Sequence, residues 1–197
     1  MTTLLLELPT ELLLGIAERL PFEAIKSLSI HVSIPKLLHL KSEDCFVESA
    51  LCGFLRDHSQ QLKVLSLKNC FAGSPFSDLP YTWDAFFHDL LISRPVLEKL
   101  IVTNDNIALI AEDPDDQGPS IPGNAEDSED VKAVQKQLLD DPNRRLWVYA
   151  KLDPVSGVIV HDFAEIVTNN KTGKDQAKHD ELMALVRQNR EHSSNEA

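Results

Sequence analysis

"LKVLSLKNCF", residues 62–71, places leucines at 62, 65 and 67 and a cysteine at 70. A similar run stands 25 residues earlier, "LLHLKSEDCF" at 37–46, with Leu37, Leu40, Ser42, Cys45 and Phe46 in the matching places. A looser copy, "LEKLIVTND", begins at Leu97, 35 residues after the second, with Leu100, Val102 and Asp105 in register. Each run is too short for a helix and alternates over its middle, the pattern of a short strand with one buried face. Between the first two lies "VESALCGFLRDH" (47–58), and before the third lies "YTWDAFFHDLLI" (81–92). Both carry apolar residues at helical spacing: Val47, Ala50, Leu51, Phe54 and Leu55 in one, Trp83, Phe86, Phe87, Leu90 and Leu91 in the other. Strand and helix therefore alternate.

The pattern Leu-x-x-Leu-x-Leu-x-x-Asn/Cys at periods of about 20–29 residues is the signature of a leucine-rich repeat. The insert "GSPFSDLPY" before the third copy, rich in turn residues, accounts for the longer period. Cys45 and Cys70 become equivalent positions in successive units. A metal site with Cys52 is the alternative. The spacing of Cys45, Cys52 and Cys70 matches no common zinc pattern, and free cysteines favour the core, so buried cysteines are expected and no metal.

Residues 5–21, "LLELPTELLLGIAERLP", read as an opening helix. Pro9 and Thr10 suit a helix start, and Glu11 suits its positive end. Leu12, Leu13, Leu14, Ile16, Ala17 and Leu20 cover roughly 200° of the wheel, more than the apolar stripe of an ordinary surface helix. Two bodies must cover such a helix. A central place in a compact core and a docking role toward a partner both satisfy that requirement.

The stretch resembles the start of an F-box, Leu-Pro-x-Glu-Leu-Leu-x-x-Ile-x-x-x-Leu, with Leu8, Pro9, Glu11, Leu12, Leu13, Ile16 and Leu20 in those places. "PFEAIKSLS" is similar to the second F-box helix, with Ile25 and Leu28 as its apolar positions. The following "SLSIHVSIPKLLHL" departs from the pattern: it lacks the aromatic and basic run before the third helix, and Pro35 interrupts it. The resemblance implies that Leu8, Pro9, Leu12, Leu13, Ile16, Leu20 and Leu28 contact a Skp-family adaptor and, through it, a cullin. The repeat surface would then bind an unknown protein target for ubiquitination.

Charge divides the chain further. The net charge is −12, which argues against a nucleic-acid partner. Residues 106–130 hold eight acids and no base, together with Pro114, Pro119, Pro122, Gly118 and Gly123. That composition describes a solvated linker, with an acidic interaction tail as the alternative; it lacks the spacing of a calcium-binding loop. Beyond it, "RLWVYAKLD" (145–153) alternates Leu146, Val148 and Ala150 with Trp147, Tyr149 and Lys151, and "VIVHDF" follows after "DPVSG". This predicts a β-hairpin. "GKDQAKHDELMALVRQNRE" predicts a helix with Leu182, Met183, Leu185 and Val186 inward and Asp175 as a cap. This segment, through Gln176, Leu182, Met183, Leu185 and Val186, also resembles the region after the repeats in fungal F-box proteins.

The expected fold is α/β: partial F-box helices at 1–33, a short leucine-rich-repeat-like stack at 34–111, an acidic disordered linker at 112–130, a helix, β-hairpin and C-terminal helix at 131–190, and a disordered tail at 191–197. No phosphate-binding loop or nucleophile elbow is present. His161, Asp162 and Glu165 are expected to follow a strand and face solvent rather than form an acid–base cluster. No enzyme, cofactor or metal is expected. The absence of an apolar run long enough for a membrane span, of a basic start to the chain and of an even cysteine set points to the cytoplasm or nucleus. The main reading is a ubiquitin-ligase recognition subunit; the alternative is a repeat-type interaction module whose first helix caps the stack.

Overall fold

The computed structural model describes residues 36–74, 81–104, 129–152 and 159–195. These form a mixed α/β structure with two small sheets. The first sheet has strands β1 (His39–Glu43), β2 (Val64–Lys68) and β4 (Lys99–Thr103), all parallel and in that order. The second has β3 (Ala72–Ser74), β5 (Tyr149–Leu152) and β6 (Ile159–His161), with β3 parallel and β6 antiparallel to the central β5. Helices α1 (Ser49–Asp57) and α2 (Trp83–Ile92) fill the connections of the first sheet; α3 (Glu129–Asp140) packs on α4 (Phe163–Thr172), which lies against β5, and α5 (Lys174–Asn195) packs chiefly on α2 and also on β4. The residues 1–33 expected to form partial F-box helices, the greater part of the acidic run and the residues between β5 and β6 lie outside the described residues.

The register of the first sheet reproduces the two sequence offsets. Leu40 pairs with Leu65 and Leu65 with Leu100; Ser42 pairs with Leu67 and Leu67 with Val102. Backbone hydrogen bonds repeat at the same offsets. The amides of Lys63 and Val64 donate to the Leu38 carbonyl, and those of Glu98 and Lys99 donate to the Lys63 carbonyl. At the far end Asp44 donates to Lys68, and Asn69 donates to Thr103. Asp44 and Asn69 both take left-handed backbone angles, φ 51° and 50°, which short polar side chains tolerate better than most. The chain therefore leaves β1 and β2 through the same turn. Each turn delivers a cysteine into the core, and the Cys45 and Cys70 sulfurs lie 3.6 Å apart as free thiols. The neighbouring Cys45 sulfur and burial push the Cys70 thiol up.

The second sheet is joined to the first through one core. Leu65, Leu67, Trp83, Phe87 and Val102 share it with Trp147, Tyr149, Ile166 and Leu182, so the described residues before and after the acidic run pack on one another. Trp83 is the hub: its ring packs on Phe86, Phe87 and Trp147, and its Nε1 donates to the Val148 carbonyl at 2.9 Å. Arg145 closes the joint from outside by donating to the Val102 carbonyl at 2.7 Å.

Several expectations are corrected. The hairpin strand is present, and its alternation does not separate a buried from an exposed face over 146–150: all five residues are buried, because Trp147 and Tyr149 enter the aromatic core while β3 pairs along the strand. The acidic linker ends earlier than expected, since Glu129 and Asp130 open α3, where negative side chains suit the helix dipole. The tail expected at 191–197 is helical to Asn195. It is held by Asn189, which donates to the Pro95 and Leu97 carbonyls, and by Ser193, which donates to Glu98. His161 is half-buried rather than free in solvent: its ring packs between Phe71 and Phe163. Asp162 caps α4, accepting from the Glu165 amide.

Asp175 is the most instructive departure. It stands inside the first turn of α5, yet its carboxylate serves another element: it accepts from the Tyr149 hydroxyl at 2.9 Å and from the Asp84 amide at 2.9 Å in the first turn of α2. Burial is the main reason its pKa is pushed up, from 3.8 to about 6. The native state thus binds this proton more tightly than the unfolded chain does. Its contribution to stability is full below the unfolded pKa and is lost as pH rises through about 6. An Asp175→Asn chain, which keeps the shape without the titration, isolates the term. The wild type gains about 1.4 kcal/mol relative to it between pH 7 and pH 5. Urea unfolding of both chains at the two pH values measures this; an unchanged difference would rule out the buried carboxyl as the source.

Candidate interaction surface

Strand alternation divides the first sheet into two faces. Leu40, Ser42, Leu65, Leu67, Leu100 and Val102 point inward, toward the helices. The other residues point outward and, because the strands are in register, form three rows across the sheet. The first row is His39, Val64 and Lys99; the second is Lys41, Ser66 and Ile101; the third is Glu43, Lys68 and Thr103. The outer strands present their outward residues mostly exposed, while Val64, Ser66 and Lys68 on the central strand are half-buried between them.

The face is short-chained in its middle and charged at its margins. Lys41 pairs with Glu43 at 2.9 Å, and Lys68 approaches the same carboxylate at 3.9 Å. These are exposed pairs of small net worth, so they hold the side chains loosely. Lys99 has no ion-pair partner among the described residues. Lys41, Lys68 and Lys99 stand on the three strands of this face, with Glu43 in the same rows. Asp44 adds a carboxylate only at the rim, past the last row.

The sequence reading located the strands that build this face but named none of its outward residues. The alternate positions between the leucines were the available signal. The adaptor-contact residues named from the sequence, Leu8, Pro9, Leu12, Leu13, Ile16, Leu20 and Leu28, all lie outside the described residues. Among the described residues, no group of three or more His, Cys, Asp or Glu side chains is arranged to hold a metal. Cys52, the third cysteine, is buried on α1, and burial pushes its thiol up to about 11. Among them, too, no helix is long and apolar enough to cross a membrane.

No family model, curated protein or solved structure matches this chain. The functional argument therefore rests on its own residues.

Proposed function

We propose that this protein is a non-catalytic recognition subunit of the F-box type, with a short leucine-rich-repeat body. Its N-terminal helices dock on a Skp-family adaptor, and its sheet face holds a target protein for a cullin-based ligase. The mechanism is proximity: holding a target beside the ligase raises the effective concentration of its lysines, so the chain itself does no chemistry. The observation that carries the recognition half is the repetition of backbone pairing at offsets of 25 and 35 residues, which sets like units side by side behind one solvent-facing sheet. The docking half rests on Leu8, Pro9, Leu12, Leu13, Ile16 and Leu20 in the F-box pattern.

A second reading keeps the repeat body and drops the ligase. Leu37 is buried while Leu38, beside it next to the outer strand β1 of the described sheet, is 46% exposed. Repeat stacks need a cap at such an edge, and the N-terminal helix can supply it. Co-purification with a Skp-family adaptor separates the two readings. A Leu13→Asp, Ile16→Asp chain with an unchanged circular-dichroism spectrum is expected to lose the adaptor that the wild type retains. A folded wild type that captures no adaptor leaves the capped module.

A further inference from the structure

We propose that Cys45 and Cys70 are a redox-sensitive pair, which peroxide converts to a disulfide that staples the first repeat unit to the second. The pair belongs to the described core, so its chemistry is independent of the ligase reading. Register brings the two residues together. Glu43 pairs with Lys68, and Phe46 with Phe71, so the chain runs in step on both sides of each cysteine. The Asp44 amide donates to the Lys68 carbonyl and the Phe71 amide to the Cys45 carbonyl, which fixes the backbone there. The cysteines therefore face one another across adjacent parallel segments, a spacing of roughly 4.8 Å. Disulfides bridge Cα separations of about 4.4–6.8 Å. The sulfurs already lie 3.6 Å apart. Side-chain rotation, rather than strand movement, closes the remaining gap to a bond of about 2.05 Å.

The two sulfurs have different surroundings. Cys45 lies 2.9 Å from the Ser42 hydroxyl as well as beside Cys70. The Cys70 thiol, and after it the Ser42 hydroxyl, favour the Cys45 thiolate against the opposing effect of burial. The Cys70 thiol has the Ser42 and Lys68 carbonyls as acceptors, each at 3.5 Å. Cys45 is therefore the sulfur that attacks first. Its thiolate bonds to one oxygen of hydrogen peroxide and the O–O bond breaks. The displaced hydroxide takes the proton that Cys45 gave up and leaves as water. The Cys70 sulfur then attacks the sulfenic sulfur: the S–O bond breaks, the S–S bond forms, and hydroxide leaves as a second water with the Cys70 proton. Two thiols lose two electrons, and one peroxide is reduced to two waters. Both thiols are buried, which suits an oxidant as small as peroxide. Cys52 is buried on α1 beside Tyr81, away from this exchange. In an unfolded chain the preference reverses, because the loop from Cys45 to Cys52 is far shorter than the loop from Cys45 to Cys70 and costs less entropy to close.

The experiment treats the whole reduced chain with hydrogen peroxide, folded and in concentrated urea, and maps the products by alkylation, trypsin digestion and mass spectrometry. The folded chain is expected to lose two hydrogens and to join fragment 42–56, which carries Cys45, to fragment 69–99, which carries Cys70. A Cys52→Ala chain, with only two thiols left, is expected to form the same link. In urea the link inside fragment 42–56, Cys45 to Cys52, is expected to predominate. A Cys70→Ser chain cannot close the bond and is expected to accumulate the Cys45 sulfenic acid, captured by dimedone. The oxidised wild type is expected to unfold at higher urea than the reduced one, its unfolding constant lowered about tenfold or more by the closed loop. Dithiothreitol is expected to return the reduced midpoint. Both thiols still alkylated after peroxide overturn the proposal, as does Cys45–Cys52 as the product from the folded chain. A Cys52→Ala chain that links only between molecules, a Cys70→Ser chain without a dimedone adduct on Cys45, or an oxidised wild type that unfolds at lower urea than the reduced one also overturns it.

Discussion

Replacing Trp83 by alanine is expected to lower the stability of the fold by about 3–5 kcal/mol. The indole has no exposed surface and packs on Phe86, Phe87 and Trp147, three rings that come from two distant stretches of chain. Truncation removes that contact area and leaves a cavity that α2, fixed at its start by Asp175, cannot collapse to fill. The lost hydrogen bond matters less. The Val148 carbonyl that accepts from the indole also accepts from the Ala72 amide, so it is not orphaned. Urea unfolding followed by far-ultraviolet circular dichroism gives the number. Ile92→Ala, at a side chain 66% exposed on the same helix, serves as the control and is expected to change stability by about 0.5 kcal/mol or less. A Trp83→Ala cost as small as the control's would mean that the two halves do not share a core.

Gly73→Ala is the second large effect, and its cause is backbone rather than packing. Gly73 has φ 120°, a value that side-chain-bearing residues rarely adopt, and it faces Ala150 across the β3–β5 pair. A Cβ there would fall 2.1 Å from the Ala150 carbonyl oxygen, an atom that cannot rotate away. The strand pair must open, at a cost of about 2–4 kcal/mol. Amide exchange at Tyr149 and Ala150 is expected to rise with it. Gly53→Ala gives the opposite sign in the same experiment. Gly53 sits inside α1 with open space where its Cβ would be, so alanine is expected to stabilise by about 0.5–1 kcal/mol. If Gly73→Ala is neutral, β3 does not pair with β5 in solution.

The candidate surface was half legible in the sequence. The runs at 37–46, 62–71 and 97–105 identify the strands, and their offsets are those of the observed pairing. The outward lysines were not singled out, because solvent-facing strand positions carry no pattern that separates a binding residue from an ordinary surface one. The adaptor-docking residues are a matter of sequence resemblance alone.

What the sequence determined by itself is the local grammar. Leucines at alternate positions make short strands, apolar residues at helical spacing make the helices between them, and the 25-residue offset between the first two runs is the offset at which β1 pairs with β2. These are effects of near neighbours, and a one-dimensional pattern records them. Only the tertiary structure decided the rest. Trp147 and Tyr149 alternate with Leu146, Val148 and Ala150, yet both faces are buried, because α2 and α5 cover the side that carries the two aromatics. Asp175 reads as a cap for its own helix, yet it holds the start of α2, 91 residues earlier in the chain. A carboxylate takes whichever amide and hydroxyl donors the packing brings within 3 Å. That choice is made by the approach of distant segments in space, and no local pattern carries it.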